Sequence, residues 1–274
     1  MDIKELNLSI FSYNVYWKIM KLNDSLLNKN LNKTKLTELK SNVLKNILNT
    51  KNYFNPFIYC FQESESFLDI INLFEKSLYK YHLGYSNPEH ILTIWRTDIM
   101  KKKLVLDGEF EAGRPFSIIV FKDLRYKNYW ILINIHSGHN PYTETSIFEP
   151  IQKLIQINQD KINKYDISRI IIIGDFNRDI SSQIKIEPTK YKLILNSNEF
   201  YFKPTFNNNK TCCSLNGWGH KFNYDQVIDT YSEPILTYQL NNENWYLTNS
   251  SDHLAILSVL KNFINHKNYK NNNS

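Results

Sequence analysis

The stretch RIIIIGDFNRD, residues 169–179, decides the fold. Four consecutive isoleucines, Ile170 to Ile173, present no polar side to water, and a β-branched run of that kind reads as a buried strand. Gly174 ends the run, and Asp175, Asn177 and Arg178 follow at once. Taken alone, Gly-Asp-x-Asn is a turn, because Gly allows positive φ and Asp and Asn bond their own backbone. A carboxylate at the end of a buried strand is nevertheless costly unless something pairs it.

The same interruption recurs along the chain. FIYCFQE (57–63) ends in Gln62 and Glu63, and WILINIH (130–136) ends in His136. Asp252 and His253 immediately precede LAILSVL (254–260), and Asn14 lies inside LSIFSYNVYW (8–17). Each has a plain structural reading on its own. Glu63 suits the N-terminus of a helix starting near Ser66, and a lone histidine at a strand end is commonly a satisfied structural residue. Converging on one another and on a cation would offset the desolvation of all of them together.

Between these points the pattern alternates short strands with helical segments. Leu36, Leu39, Val43, Leu44 and Ile47 predict a helix over about 34–49, and Ser66 caps a second predicted over 66–81. YHLGY, ILTIW, FSIIVF and WILINIH, within 81–136, predict sequential, largely antiparallel strands. A long helix is expected at about 144–163, a loop-rich region over 178–222, and strands at 224–229, 235–240 and 253–260. No repeat and no Pro- or Gly-rich linker divides the chain. One α/β domain of two packed sheets with outer helices, residues 1–264, is expected, followed by a polar tail, 265–274.

Bulk composition sets wide bounds. The 274 residues are 42% hydrophobic and 22% charged, which predicts a folded chain. Lys plus Arg number 33 against 27 Asp plus Glu, a net charge of +6 that permits a polyanionic partner without requiring one. Cys60, Cys212 and Cys213 lack zinc-site spacing and read as buried or incidental thiols of a reducing compartment. The first 17 residues lack the apolar core of a secretory signal, and no run approaches the roughly 20 apolar residues of a membrane span. A soluble intracellular protein of the cytoplasm or nucleus, with no obligate protein partner, is the expectation.

In this order, from SYNVYW through CFQESE, ILINIHSGHN and IIIIGDFN to SSDHLAIL, the set resembles the DNase I-like endonuclease/exonuclease/phosphatase superfamily over residues 8–260. The resemblance implies a four-layer α/β sandwich, two packed mixed β-sheets flanked by α-helices. It implies Mg²⁺, or Mn²⁺, held by Glu63 with Asn14 and Asp252, and hard oxygen donors suit such ions. Asp175 and Asn177 match the pair that activates water and holds a phosphate oxygen. His253 matches the histidine on the scissile phosphate, with Asp225 holding its ring. EHILTIWR places Glu89 before Arg96 as in DNase I and the cytolethal distending toxins, implying a Glu89–His136 couple. Arg114 in GRPFSIIVF looks like the arginine those nucleases carry at the start of the next strand, and Arg114, Arg96 and Asn140 are expected to bind substrate.

Phosphodiester hydrolysis needs an activated water, a cation on the nonbridging oxygens and help for the departing oxyanion, and these residue types supply all three. A metal-dependent phosphodiesterase of DNA or RNA is the leading expectation. The rivals are an enzyme of the same fold acting on phosphoinositide, sphingomyelin or a protein-linked nucleotide, and a non-catalytic scaffold module. The block PxWCDR of inositol polyphosphate 5-phosphatases is missing, and KFNYDQVID stands in its place. GDFNRD and SYNV also resemble the tyrosyl-DNA phosphodiesterases and the deadenylases. Residues 207–222 have no counterpart; Trp218, His220 and Lys221 read as a surface loop, with substrate contact the alternative.

Overall fold

The structure, a computed structural model, describes residues 7–16, 19–20, 33–86, 89–110, 113–138, 147–203, 211–212, 223–231, 236–239, 251 and 253–261. Its first sheet takes strands from both ends of the chain: β1 (Leu8–Asn14), β2 (Ile58–Gln62), β3 (Tyr79–Ser86), β4 (Glu89–Arg96), β12 (Leu236–Gln239) and β13 (Ile256–Leu260). Their order is β12-β13-β1-β2-β4-β3. The second sheet runs β11-β8-β7-β6-β5, with β5 at Met100–Phe110, β6 at Arg114–Asp123, β7 at Tyr129–His136, β8 at Ile167–Asp175 and β11 at Asp225–Asp229. β9 (Lys192–Leu195) and β10 (Asn198–Tyr201) form a separate hairpin. Both sheets are mixed, with the parallel pairs β1–β2 and β7–β8 at their centres.

Period-two alternation explains the isoleucine run. Ile171 and Ile173 point into the layer between the sheets, against Ile10, Ile58, Cys60 and Trp95 of the first sheet. Ile170 and Ile172 point outward under α3 (Phe148–Ile157), α4 (Gln159–Ile162) and α5 (Ile180–Ile186). On the other side, Phe11, Tyr13, Tyr59 and Phe61 pack beneath α1 (Lys33–Phe54) and α2 (Phe67–Ile71). The result is the expected four layers, helices, sheet, sheet, helices. A strand covered on both faces has no reason to alternate with polar residues. Burying four isoleucines contributes roughly 6–12 kcal/mol as an upper figure, more than enough to hold one costly carboxylate at the strand's end.

Several local expectations are corrected. The helix predicted over 66–81 stops at Ile71, because Tyr79 to Ser86 pair along the whole of β4 and Tyr79 packs its ring on Tyr59 and Phe74. The helix expected over 144–163 is broken at Asn158, whose Nδ2 donates to Leu154 O at 3.1 Å. β5 went unforeseen between ILTIW and FSIIVF, and the loop-rich region contains α5 and the β9–β10 hairpin. Cys60 is a buried free thiol, whereas Cys212 is disulfide-bonded, so the expectation of thiols throughout is not met. No helix among the described residues is long and apolar enough to cross a membrane. The polar tail, Trp218, His220 and Lys221 lie outside the described residues.

Candidate active site

The layer between the sheets changes character along its length. Following inward positions toward one end, β1 reads Ile10, Ser12, Asn14; β2 reads Ile58, Cys60, Gln62; β7 reads Leu132, Asn134, His136; and β8 reads Ile171, Ile173, Asp175. Strand direction decides which end of each strand arrives there. The parallel pairings set Asn14 beside Gln62 and His136 beside Asp175 in register. Antiparallel β11 brings its first residue, Asp225, opposite Asp175. Glu89 and Arg114 are likewise the first residues of β4 and β6.

Two carboxylates are joined at the centre. Asn14 Nδ2 donates to Glu63 Oε1 at 3.1 Å and to Asp175 Oδ2 at 3.0 Å, while its Oδ1 accepts from Tyr16 N. Glu63 adopts φ 54° and Asn177 φ 50°, left-handed turns at the ends of β2 and β8 that swing their side chains across the strand ends. Asp175 Oδ1 accepts from Asn177 N at 2.8 Å, and Asn177 Nδ2 donates to Ser137 O at 2.7 Å, which fixes the loop after β8.

Each of two imidazoles is held by its own acid. His136 Nδ1 bonds Glu89 Oε1, and its Nε2 lies 3.4 Å from Asp175 Oδ2 and 3.8 Å from Glu63 Oε1. Arg114 Nη1 donates to both Glu89 oxygens at 2.9 and 2.8 Å. His253 Nδ1 lies 2.8 Å from Asp225 Oδ2, and its Nε2 lies 3.6 Å from the same Asp175 Oδ2. Both rings therefore turn their outer nitrogens toward one carboxylate oxygen.

The electrostatics follow from burial opposed by pairing. Burial pushes the His136 pKa down, but Glu89, Asp175 and Glu63 outweigh it and the pKa is raised. Burial would raise Glu89, yet His136 and Arg114 hold it below the usual carboxylate range. Burial likewise opposes ionisation of Asp175, and His253, His136 and the Asn177 N–H prevail, so its pKa is lowered. Asp225 is different: burial lifts it to about 6, with His253 only partly offsetting that and Asp175 adding to it.

Of the residues expected from sequence, Asn14, Glu63, Glu89, Arg114, His136, Asp175, Asn177, Asp225 and His253 meet at this end of the sandwich. Arg96 does not. It is the last residue of β4, seven residues from Glu89, where it pairs with Asp98 at 2.6 Å and stacks on Phe57. A strand advances about 3.3 Å per residue, so Arg96 sits roughly 23 Å from the cluster. Asn140 and Asp252 lie outside the described residues.

Other supporting residues were not foreseen. Gln62 Nε2 donates to Asn134 Oδ1 at 2.8 Å and to Ser12 Oγ, and Asn134 Nδ2 reaches Thr93 Oγ1, a polar tie between the sheets directly beneath the cluster. Ser251 Oγ donates to Asn14 O at 2.8 Å and accepts from His253 N. Thr211 Oγ1 accepts from Asp225 N at 2.9 Å, and Cys212 Sγ lies 3.4 Å from His253 Nε2. Asn134 carried a signal, a lone amide at an inward position of an apolar strand. Thr211 carried none.

Glu63, Glu89 and His136, and separately Asp175, Asp225 and His253, bring ligand atoms within 4.8 Å of one another. Four buried carboxylates face one arginine and two histidines. Asp225 Oδ1 has no hydrogen-bond partner among the described residues. A donor set of hard oxygens with more negative than permanent positive charge suits a small divalent cation.

No protein-family model and no curated protein matches the chain in sequence. Solved structures do match in three dimensions. ANGEL2, a 2′,3′-cyclic phosphatase, superposes with TM-score 0.64 at 14% identity, covering 93% of this chain and 95% of its own. An endonuclease/exonuclease/phosphatase from Bacteroides vulgatus gives 0.62 at 14%, covering 92% and 97%. A mannosyl-6-phosphatase from Bacteroides thetaiotaomicron gives 0.57 at 17%, covering 92% and 98%.

Proposed function

We propose that this chain, which has the DNase I-like endonuclease/exonuclease/phosphatase fold, is a divalent-metal-dependent phosphodiesterase acting on nucleic acid. The observation that carries the reading is the pair of acid-held imidazoles, His136–Glu89 and His253–Asp225, aimed at Asp175 Oδ2 from 3.4 and 3.6 Å. The fold neighbours, which include enzymes named for phosphate-ester hydrolysis, support the reaction class.

Glu63, Asn14 and Asp252 would hold the ion, which when bound supplies positive charge to the nonbridging phosphate oxygens. Asp175 stays ionised at neutral pH and orients the attacking water, accepting its proton as the bond to phosphorus forms. Asn177 steers the phosphate through its amide. His253 and His136 donate hydrogen bonds from Nε2 to the phosphate oxygens, and a protonated ring delivers its proton to the leaving oxygen. Glu89 keeps His136 charged toward higher pH. Arg114 keeps Glu89 ionised and adds a fixed positive charge close to Glu63. The net charge of +6 is compatible with a polyanionic substrate.

The test is to incubate purified protein and Mg²⁺ with plasmid DNA, single-stranded DNA and RNA, alongside Asp175→Asn and a chelator control. Cleavage that needs both Asp175 and free metal is expected. Inertness toward all three, with hydrolysis of a phosphoinositide, sphingomyelin or a sugar phosphate, would move the assignment to those esters. Full turnover in excess EDTA would contradict the metal assignment.

A further inference from the structure

Arg178 follows Asn177 directly, and its backbone carbonyl is anchored by Gln226 Nε2 at 2.8 Å. Its guanidinium is half-buried and makes no hydrogen bond or ion pair among the described residues. Nearby acids are already engaged. Asp179 accepts from both the backbone N and the Oγ of Ser182, and Glu187 pairs with Lys190 at 3.1 Å. Burial depresses the Arg178 pKa, and only the Tyr191 side chain opposes that. Taking half of a charged guanidinium out of water without an acceptor in the protein is unfavourable, and a bound anion would offset that cost.

Arg178 lines a cavity of about 270 Å³ together with Phe148, Gln183, Ile186, Glu187, Lys190 and Tyr191. One wall is apolar and aromatic, with Phe148 set edge-on to Tyr191 at 5.6 Å. Tyr191 Oη donates to Gln183 Oε1, which leaves the Gln183 amide nitrogen able to donate into the space. A volume just below the usual range for small-molecule sites holds one phosphate with part of a sugar, not several nucleotides. Asn177 and Arg178 are consecutive, with Cα atoms about 3.8 Å apart, so the cavity that Arg178 lines adjoins the same loop after β8 as the amide assigned to the scissile phosphate.

We infer that Arg178 and this cavity form a subsite for a second phosphate of the substrate, the one neighbouring the scissile diester. The inference rests on the phosphodiesterase reading and adds a reason for an extended, multiply charged substrate. The guanidinium fork matches two phosphate oxygens, and the Phe148–Tyr191 wall covers the attached sugar. Arg178 would be a specificity-determining residue that contacts substrate away from the reacting bond.

Three thymidine dinucleotides separate the possibilities: TpT, and the same diester carrying a terminal phosphate at its 5′ end (pTpT) or its 3′ end (TpTp). All three share one scissile bond. Wild-type protein with Mg²⁺ should favour one of the phosphorylated dinucleotides over TpT by roughly 10- to 100-fold in kcat/KM, the range of one charge-assisted contact. In Arg178→Gln that ratio should collapse toward unity, and Arg178→Lys should retain part of it. Each ratio is taken within one protein, so partial loss of folded enzyme does not alter it. Cleavage of all three at equal rates by the wild type overturns the subsite and leaves the phosphodiesterase reading intact, as does an undiminished ratio in Arg178→Gln. No cleavage of any diester, with hydrolysis of a phosphate monoester instead, overturns the phosphodiesterase reading and the subsite with it.

Discussion

Gly174 leaves no room for a side chain between two strands of the second sheet, and replacing it with alanine tests both the packing and the site. In the parallel β7–β8 pairing Gly174 lies opposite Ile135, with φ of 137°. A β-carbon there would sit 2.1 Å from the Ile135 carbonyl oxygen and 3.1 Å from Gln62 Nε2, well inside the 3.4 Å at which ordinary contact begins. The nearer atom is backbone and cannot rotate away, so relief requires roughly 1 Å of strand movement. The dihedral strain alone costs about 1–3 kcal/mol, and with the loosened ladder the total reaches about 3–5 kcal/mol. For a domain of this size each kcal/mol lowers the melting midpoint by about 2–4 °C, so a fall of roughly 6–20 °C is expected. The same movement displaces His136 and Asp175, the next residues on both strands, and a misplacement of that order costs about 100-fold in rate. Thermal melting by circular dichroism and a nuclease assay on the Gly174→Ala protein provide both readouts. A midpoint within 2 °C of wild type together with near-normal turnover would refute the reasoning.

Asp225→Asn leaves the fold intact but lets an amide face His253 Nδ1, so turnover should drop by about 10²–10⁴ with little change in melting; a loss below tenfold would show that the ring is positioned by other contacts. Asp229→Asn acts in the opposite sense. Arg169 is fully buried and donates through Nε to Asp229 Oδ1 at 2.8 Å, so removing that charge should cost about 3–5 kcal/mol and be seen as an early melt. Glu89→Gln tests the pH behaviour. His136 has a pKa raised above its ordinary 6.5, so the stabilisation from its charged form is complete below 6.5 and fades as pH climbs through the raised value. With Glu89 neutral, the alkaline limb of the rate profile should move to lower pH, and an unchanged limb would remove His136 as the group responsible.

Much of the site was legible because its residues break apolar strands. Asp175 after four isoleucines, His136 after WILINI and Glu63 after IYCFQ each stand out locally as polar groups that end a buried run, and their order along the chain outweighs the plain structural reading each has alone. Arg96 and Arg114 show where that reading stops. Both flank apolar strands, but β4 and β6 run in directions that place the start of each, Glu89 and Arg114, at the site and the end of β4 far from it. Strand direction is a property of the sheet, not of the residue. β5 was hidden because Lys101, Lys102 and Lys103 mask an edge strand, a position where charged residues are favoured. Tyr79 to Tyr81 continue a helical pattern and become strand only through pairing with β4.

By itself the chain's order of residues determined which segments bury both faces, where they end, and which acids, amides and imidazoles stand at those ends, because periodicity and turn chemistry are local. Only the tertiary structure decided that the inward positions grade from apolar to polar toward one end, that His136 and His253 face the same oxygen of Asp175, and that Arg178 has no acid partner among the described residues. Those facts depend on register and direction across strands far apart in the chain, 161 residues in the contact of Asn14 with Asp175, and side-chain separation across a sheet is set by pairing rather than by position along the chain.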